Sequence, residues 1–377
     1  MSMIDWKDGD QRDTVHLIVQ ALTEGKVVAL PTESSYLLCA SGLNTDAAQS
    51  VAEYANTLSS RLSLIARGTG EILDYCPEIS PVARRIVQRG MPGPIALNLS
   101  ADERSLVSAL GNELAGHLRE GDQLSIRLPA HPAVLDVMRL LKGPVIAAEI
   151  SSEQGVATSA NDAAKAAGDA CSFVVDDGPT HFGAAATAIS VESNQCKLEV
   201  PGVVDNERLW QLSQLTILIV CTGNTCRSPM AQVILDSLLR KKFSLPPQNG
   251  PLSGAVFVAS AGVSAFPGSP ASQGARTAAK IRGLSLAAHQ SSPVTRHSVE
   301  HADFVFAMTG THRSAILQAM PEAASKVRLI SGGTGDVSDP FGGDQAIYDS
   351  CADQIEGYLQ TWVNSVDPSW LPQWQFD

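Results

Sequence analysis

The chain has 377 residues, 44% hydrophobic and 18% charged, which is enough apolar material for real cores and too little charge for a disordered polymer. At about 100–200 residues per domain it predicts two to three domains. Its 39 acidic against 27 basic residues, a net charge of −12, exclude a general nucleic-acid binder that works through a broad basic face. The opening MSMIDWKDGD has neither a basic n-region nor an apolar h-region, and the longest apolar runs, such as Leu215 to Cys221, fall far short of a membrane span. A cytoplasmic protein without a membrane partner is expected. The seven cysteines are an odd number, scattered without Cys-x-x-Cys spacing, which argues for free thiols and against a structural metal.

In chain order, Asp13 to Glu24 reads as an amphipathic helix and Lys26 to Leu30 as a buried strand ended by Pro31. Gln123 to Leu128 reads as a strand stopped by Pro129, Pro132 to Leu141 as a helix, and Pro144 to Glu149, Ser172 to Asp176 and Ala188 to Glu192 as further strands. Alternating short strands and helices predict an α/β or α+β layered domain over residues 1–205. Polar residues then break the rhythm, and a linker is expected at 206–214.

The second unit, 215–365, alternates more cleanly. Strands are expected at Thr216 to Val220, Val256 to Ala259, Phe304 to Ala307 and Lys326 to Ile330. Helices are expected at about Pro229 to Lys242, Pro270 to Arg282, Thr311 to Ala319 and Gln345 to about Val363, with a Pro/Gly-rich segment SLPPQNGPLSG after the first of them. This pattern predicts a parallel sheet with helices on both faces, followed by a tail at 366–377. In such sheets ligands sit at the carboxyl ends of strands, which is where the loop after Val220 lies.

That loop, Cys221-Thr222-Gly223-Asn224-Thr225-Cys226-Arg227-Ser228-Pro229, carries the chemistry. A Cys-x5-Arg run between a strand and a helix turns successive backbone N–H groups inward, and the positive end of the helix completes a phosphate cradle. Gly223 and Asn224 tolerate the backbone angles required, while Ser228 suits a helix cap and Pro229 a first turn. The field favours negative charge on the Cys221 sulfur, which suits it as nucleophile, and Arg227 offers a planar fork for two phosphate oxygens. Thr222, Thr225 and Cys226 complete the anion-binding loop.

On these residues, together with Ser260-Ala261-Gly262, Asp303 to Thr309 and Asp339-Pro340-Phe341-Gly342-Gly343, residues 215–365 resemble the low-molecular-weight protein tyrosine phosphatase family. The resemblance implies a phosphorylated protein as partner, a cysteinyl-phosphate intermediate with no cofactor, and Asp339 as general acid; Asp336 reads as loop-organising. The runs CTGNTCRSPMA and GDVSDPFGG are similar to bacterial protein-arginine phosphatases. Thr225 stands where tyrosine-specific members carry a bulky aliphatic residue, so phosphoarginine is favoured over phosphotyrosine. Phe266 and Phe341 are candidate pocket walls, with core packing the alternative for both. An arsenate-reductase-like role is weaker, because Ser228 to Asp339 contains no relay cysteine and Cys351 reads as a packing residue. Cys226 could close a reversible disulfide with Cys221.

Val27 to Tyr36, Met91 to Leu97, Leu124 to Pro132, Asp176 to Pro179 and Pro201-Gly202 resemble the threonylcarbamoyl-AMP synthase (YrdC-like) family over residues 20–204. Where that family has Lys-x-Arg, this chain reads Asn56-Thr57-Leu58-Ser59, and where it has Ser-Ala-Asn, Ile150-Ser151-Ser152. Its Ser-Thr is Ala186-Thr187, and its arginine before Pro-Gly is Val200. Thr32, Tyr36 and Arg127 remain as pocket candidates. The expected whole is an α/β protein: a degenerate YrdC-like twisted-sheet domain holding a small nucleotide-like or amino-acid ligand, joined to a parallel-sheet phosphatase domain. The competing expectation is a bifunctional enzyme that keeps the synthase activity.

Overall fold

Among the described residues, two main sheets and one small two-stranded sheet grow out of the strand and helix rhythm. The computed structural model describes residues 2–58, 60–101, 115–116, 118–120, 122–246 and 254–376. Ser59 and residues 247–253 of the Pro/Gly-rich segment lie outside the described residues. The chain divides into two units, one of Met1–Leu212 with Gln373–Asp377 and one of Ser213–Pro372.

The first unit is built on a mixed sheet. Its strands are β1 (Ser2–Asp5), β2 (Val28–Pro31), β3 (Tyr36–Ser41), β4 (Ser63–Ile65), β5 (Ile95–Ser100), β6 (Arg119–Glu120), β7 (Gln123–Arg127) and β8 (Val145–Glu149). A small hairpin of β9 (Ser151–Ser152) and β10 (Gly155–Val156) precedes β11 (Phe173–Asp176), β12 (Thr187–Glu192) and β13 (Gln195–Val200). The order across the sheet is β1-β11-β2-β3-β8-β4-β7-β5-β12-β13, with β6 against β7. Successive residues of a strand face opposite sides, and both sides are buried here. In β3, Tyr36, Leu38 and Ala40 enter one core with helices Thr45–Thr57 and Pro81–Gly90. Leu37 and Cys39 enter the other with helices Gln11–Thr23 and Pro132–Leu140. A strand covered on both faces therefore reads as an unbroken apolar run.

The second unit holds β14 (Leu215–Cys221), β15 (Val256–Gly262), β16 (Phe304–Ala307) and β17 (Val327–Leu329) in the order β15-β14-β16-β17, all parallel. Leu218 and Val220 of β14 pack with Val299, Val305, Ile316 and Met320 on one face. Helices Arg227–Phe243 and Gln345–Asn364 pack together, the first also against β14 and β15. Because β15 lies on one side of β14 and β16 on the other, the carboxyl end of β14 is a topological switch point, where a crevice opens.

The segment expected to be a linker, 206–214, is instead the helix Asn206–Ser213. The tail expected at 366–377 also carries regular structure among its described residues. Trp370 stacks on Phe304 at 5.4 Å in the second unit, and β18 (Gln373–Gln375) runs parallel to β13 at the edge of the first unit's sheet. Its apolar residues explain this: Trp374 and Phe376 pack against the first unit's core. Among the described residues no helix is long and apolar enough to cross a membrane.

Candidate active site

Cys221 ends β14 and is buried, and the helix begins six residues on at Arg227. The N-cap position belongs to Cys226, with no side-chain cap bond, so Ser228 is not the cap that its residue type suggested. Its hydroxyl lies 2.9 Å from Cys221 Sγ and 3.3 Å from the Ala261 carbonyl, and its single proton can be given to the sulfur when the sulfur is anionic. Asn224 adopts φ 53°, a left-handed angle that asparagine tolerates. Its amide donates to Ser228 Oγ and Ser260 Oγ, both at 2.9 Å, its Oδ1 accepts from the Ser292 N–H at 2.8 Å, and its carbonyl lies 2.8 Å from His289 Nε2. A carbonyl can only accept, so His289 carries its proton on Nε2. Burial pushes the His289 pKa below its ordinary value.

The loop is also held through its backbone. The N–H groups of Val263, Ser264 and Ser272 donate to the carbonyls of Cys221, Thr222 and Thr225 at 3.0, 3.0 and 2.8 Å. Cys226 is buried, its Sγ 3.4 Å from Ser272 Oγ and 3.5 Å from the Tyr348 hydroxyl, and it is a free thiol, as Cys221 and Cys351 are. Burial pushes the Cys351 thiol up to about 11, which fits a packing residue of helix Gln345–Asn364.

Arg227 is only 4% exposed. Nη1 donates to the Val337 carbonyl at 3.1 Å, and Nη2 donates to Thr222 Oγ1 at 3.3 Å and Asp339 Oδ2 at 2.5 Å. Nε is buried without a hydrogen-bond partner. Asp339, its side chain 48% exposed, thus sits over the guanidinium, and its Oδ1 accepts from the Phe341 N–H at 3.2 Å. Asp336 accepts from the Gly310 N–H at 2.8 Å, tying its loop to the start of helix Gly310–Ala319.

Cys221, Thr222, Gly223, Thr225, Cys226, Arg227, Asp339 and Phe341 line one cavity of about 240 Å³. Phe341 is 77% exposed at its rim. Phe266 is 82% exposed, which excludes core packing, and it is not among the described lining residues. Ser260, from the Ser260-Ala261-Gly262 run, serves this loop, and so do Gln232, His289, Tyr348 and His312, which were not singled out from the sequence. Gln232, on the helix that follows the loop, accepts from the Ser260 hydroxyl at 2.6 Å, and His289, Tyr348 and His312 converge from distant segments.

In the first unit Thr32, Tyr36 and Arg127 are all buried and all engaged internally. The Thr32 hydroxyl donates to the Ser35 carbonyl at 2.6 Å, and the Tyr36 hydroxyl donates to the Gly178 carbonyl at 2.9 Å. Arg127 reaches Ser34 Oγ at 3.3 Å and Glu149 Oε1 at 3.5 Å, and Glu149 also accepts from the Ser35 hydroxyl at 2.5 Å.

A buried cysteine at the carboxyl end of a parallel strand, cradled by a loop that leads into a helix and faced by an arginine and a carboxylate, defines a cysteine-dependent phosphatase. The family model described as low molecular weight phosphotyrosine protein phosphatase matches residues 216–369, and the chain belongs to that family. The protein-arginine-phosphatase of Geobacillus stearothermophilus is 42% identical over 144 residues, 37% of this chain and 88% of the relative. That of Bacillus subtilis is 37% identical over 150 residues, 39% of this chain and 93% of the relative. Residues 20–199 match the Sua5/yciO/yrdC family model, described as telomere recombination. A solved Sua5 variant from P. abyssi aligns at 21% identity and a TM-score of 0.49, over 64% of this chain and 76% of that one.

Proposed function

We propose that the second unit hydrolyses a phosphorylated protein side chain, phosphoarginine in preference to phosphotyrosine, through a phosphoenzyme on Cys221. The observation that carries this reading is the cavity in which Cys221, Arg227 and Asp339 meet. In the first step the Cys221 sulfur forms a bond to phosphorus while the bond from phosphorus to the side-chain nitrogen breaks. The Asp339 carboxyl gives its proton to the leaving nitrogen. Arg227 and the loop N–H groups hold the phosphoryl oxygens, and the unpartnered Arg227 Nε gains an acceptor. In the second step water attacks phosphorus, Asp339 takes its proton, and inorganic phosphate leaves with the thiolate restored.

Phosphoarginine is favoured because Thr225 lines the cavity, offering a hydroxyl and a methyl where a larger aliphatic side chain would suit a phenyl ring, and because the two relatives above are protein-arginine phosphatases. The test is kcat/KM on phosphoarginine and phosphotyrosine peptides. Wild type should prefer phosphoarginine, Cys221→Ser should abolish both activities, and Thr225→Ile should move the ratio toward phosphotyrosine by about tenfold. A wild-type preference for phosphotyrosine overturns the ordering.

The first unit is read as a binding or regulatory module for a small nucleotide-like or amino-acid ligand rather than as a synthase. Its support is Arg127, whose charge is already engaged by Glu149.

A further inference from the structure

His312 stands on helix Gly310–Ala319, buried directly behind the exposed Thr222 of the phosphate loop. Its Nε2 is 2.8 Å from Thr222 Oγ1 and its Nδ1 is 2.9 Å from Thr309 Oγ1. Thr309 is the N-cap of that helix, and its Oγ1 accepts from the His312 backbone N–H at 3.3 Å. Thr222 Oγ1 also faces Arg227 Nη2 at 3.3 Å, and a guanidinium can only donate. A hydroxyl has one proton and two acceptor positions. If Nε2 carries the ring proton, Thr222 accepts from both His312 and Arg227 and keeps its own proton for the cavity that it lines. Thr309 then gives its proton to Nδ1 while accepting the helix N–H, so every group is used. In the other tautomer Thr222 spends its proton on the ring, and Thr309 receives two donors with its own proton left over.

We propose that His312 is a positioning residue for the phosphatase reaction: its neutral ring, protonated at Nε2, fixes the Thr222 hydroxyl as an acceptor for Arg227 and as a donor to a phosphoryl oxygen. The inference rests on the phosphatase reading above. The charged groups facing the ring are Arg227, Asp339 and Asp336. Burial and then the Arg227 charge hold the ring below its ordinary pKa, against the opposing pull of the two carboxylates, so a neutral ring is the state that the surroundings support.

The test is a double-mutant cycle in the full chain with p-nitrophenyl phosphate as substrate. His312→Ala and Thr222→Val should each lower kcat about three- to tenfold with little change in KM, and the double variant should lose no more than the worse single. His312→Gln, which keeps an N–H donor at similar reach, should recover most of the loss. Imidazole nitrogen shifts of the wild type should report the proton on Nε2 at neutral pH. Additive losses, undiminished turnover by His312→Ala, or a proton on Nδ1 would overturn the proposal. If His312→Ala melts early, the nitrogen shifts and the Gln variant still decide it. Cys221→Ser separates the two readings: turnover that survives it sinks the phosphatase assignment, whereas additive losses in a Cys221-dependent enzyme sink only the role of His312.

Discussion

Gly262, at the end of β15, shows how tightly the loop after Cys221 is built. A Cβ there would meet the Thr222 carbonyl oxygen and come within 2.9 Å of the Asn224 nitrogen, both backbone atoms that cannot rotate away. Gly262→Ala should therefore push the loop rather than a side chain. Overpacking of this kind costs about 1–3 kcal/mol, so kcat/KM should fall roughly tenfold or more, with a melting temperature lower by a few degrees. Unchanged turnover would mean that the loop tolerates the displacement. The buried histidines give a second expectation. His289 keeps a lowered pKa in the fold, so as pH falls below about 6.5 the unfolded chain takes up a proton that the folded chain resists, and stability declines. The loss of melting temperature on acidification should be smaller in His289→Gln, which retains a donor for the Asn224 carbonyl. At this scale the sequence was legible where chemistry is local. The Cys221 to Ser228 run announces its loop, whereas His289, His312 and Tyr348 reach it from later segments that no spacing connects to it, and Ser228, which looks like a cap, turns its hydroxyl to the Cys221 sulfur instead.

Strands and helices with a strong period were legible for the same reason: Phe304–Ala307 is the strand that its β-branched and aromatic residues predict, and the last helix begins at Gln345 as expected. The short edge elements were not. β18 has three residues, too few for a period to appear, and its stability comes from a distant partner, β13. Asn206–Ser213 reads as polar, yet Leu209 and Leu212 are buried in the first unit's core. Removal of residues 373–377 tests the edge. It strips Trp374 and Phe376 from that core and leaves β13 as an open edge strand. Destabilisation of about 1–3 kcal/mol is expected, read as an earlier denaturant transition of the first unit. Coincident transitions for the truncated and complete chains would show that β18 adds nothing.

For the molecule as a whole, the net charge of −12 sharpens the question of what the first unit does. A synthase of the YrdC-like kind must gather a triphosphate and a carboxylate, and an acidic chain can do so only with cations placed at the site. Here the stretch set against Lys-x-Arg is Asn56-Thr57-Leu58-Ser59, and Arg127 is buried against Glu149, with Ser34 and Ser35 completing the internal network. A cation already matched by a carboxylate offers an incoming phosphate little net attraction, and freeing it would strand Glu149. The full chain should therefore show no threonine-dependent exchange of pyrophosphate into ATP, while Glu149→Gln, which unpairs Arg127, should strengthen the binding of inorganic pyrophosphate measured by calorimetry. Threonine-dependent exchange by the wild type would establish a bifunctional enzyme and overturn the reading of the first unit as a binding module. The reading of Cys221 would be untouched by that result, because the described lining of its cavity lies within the second unit.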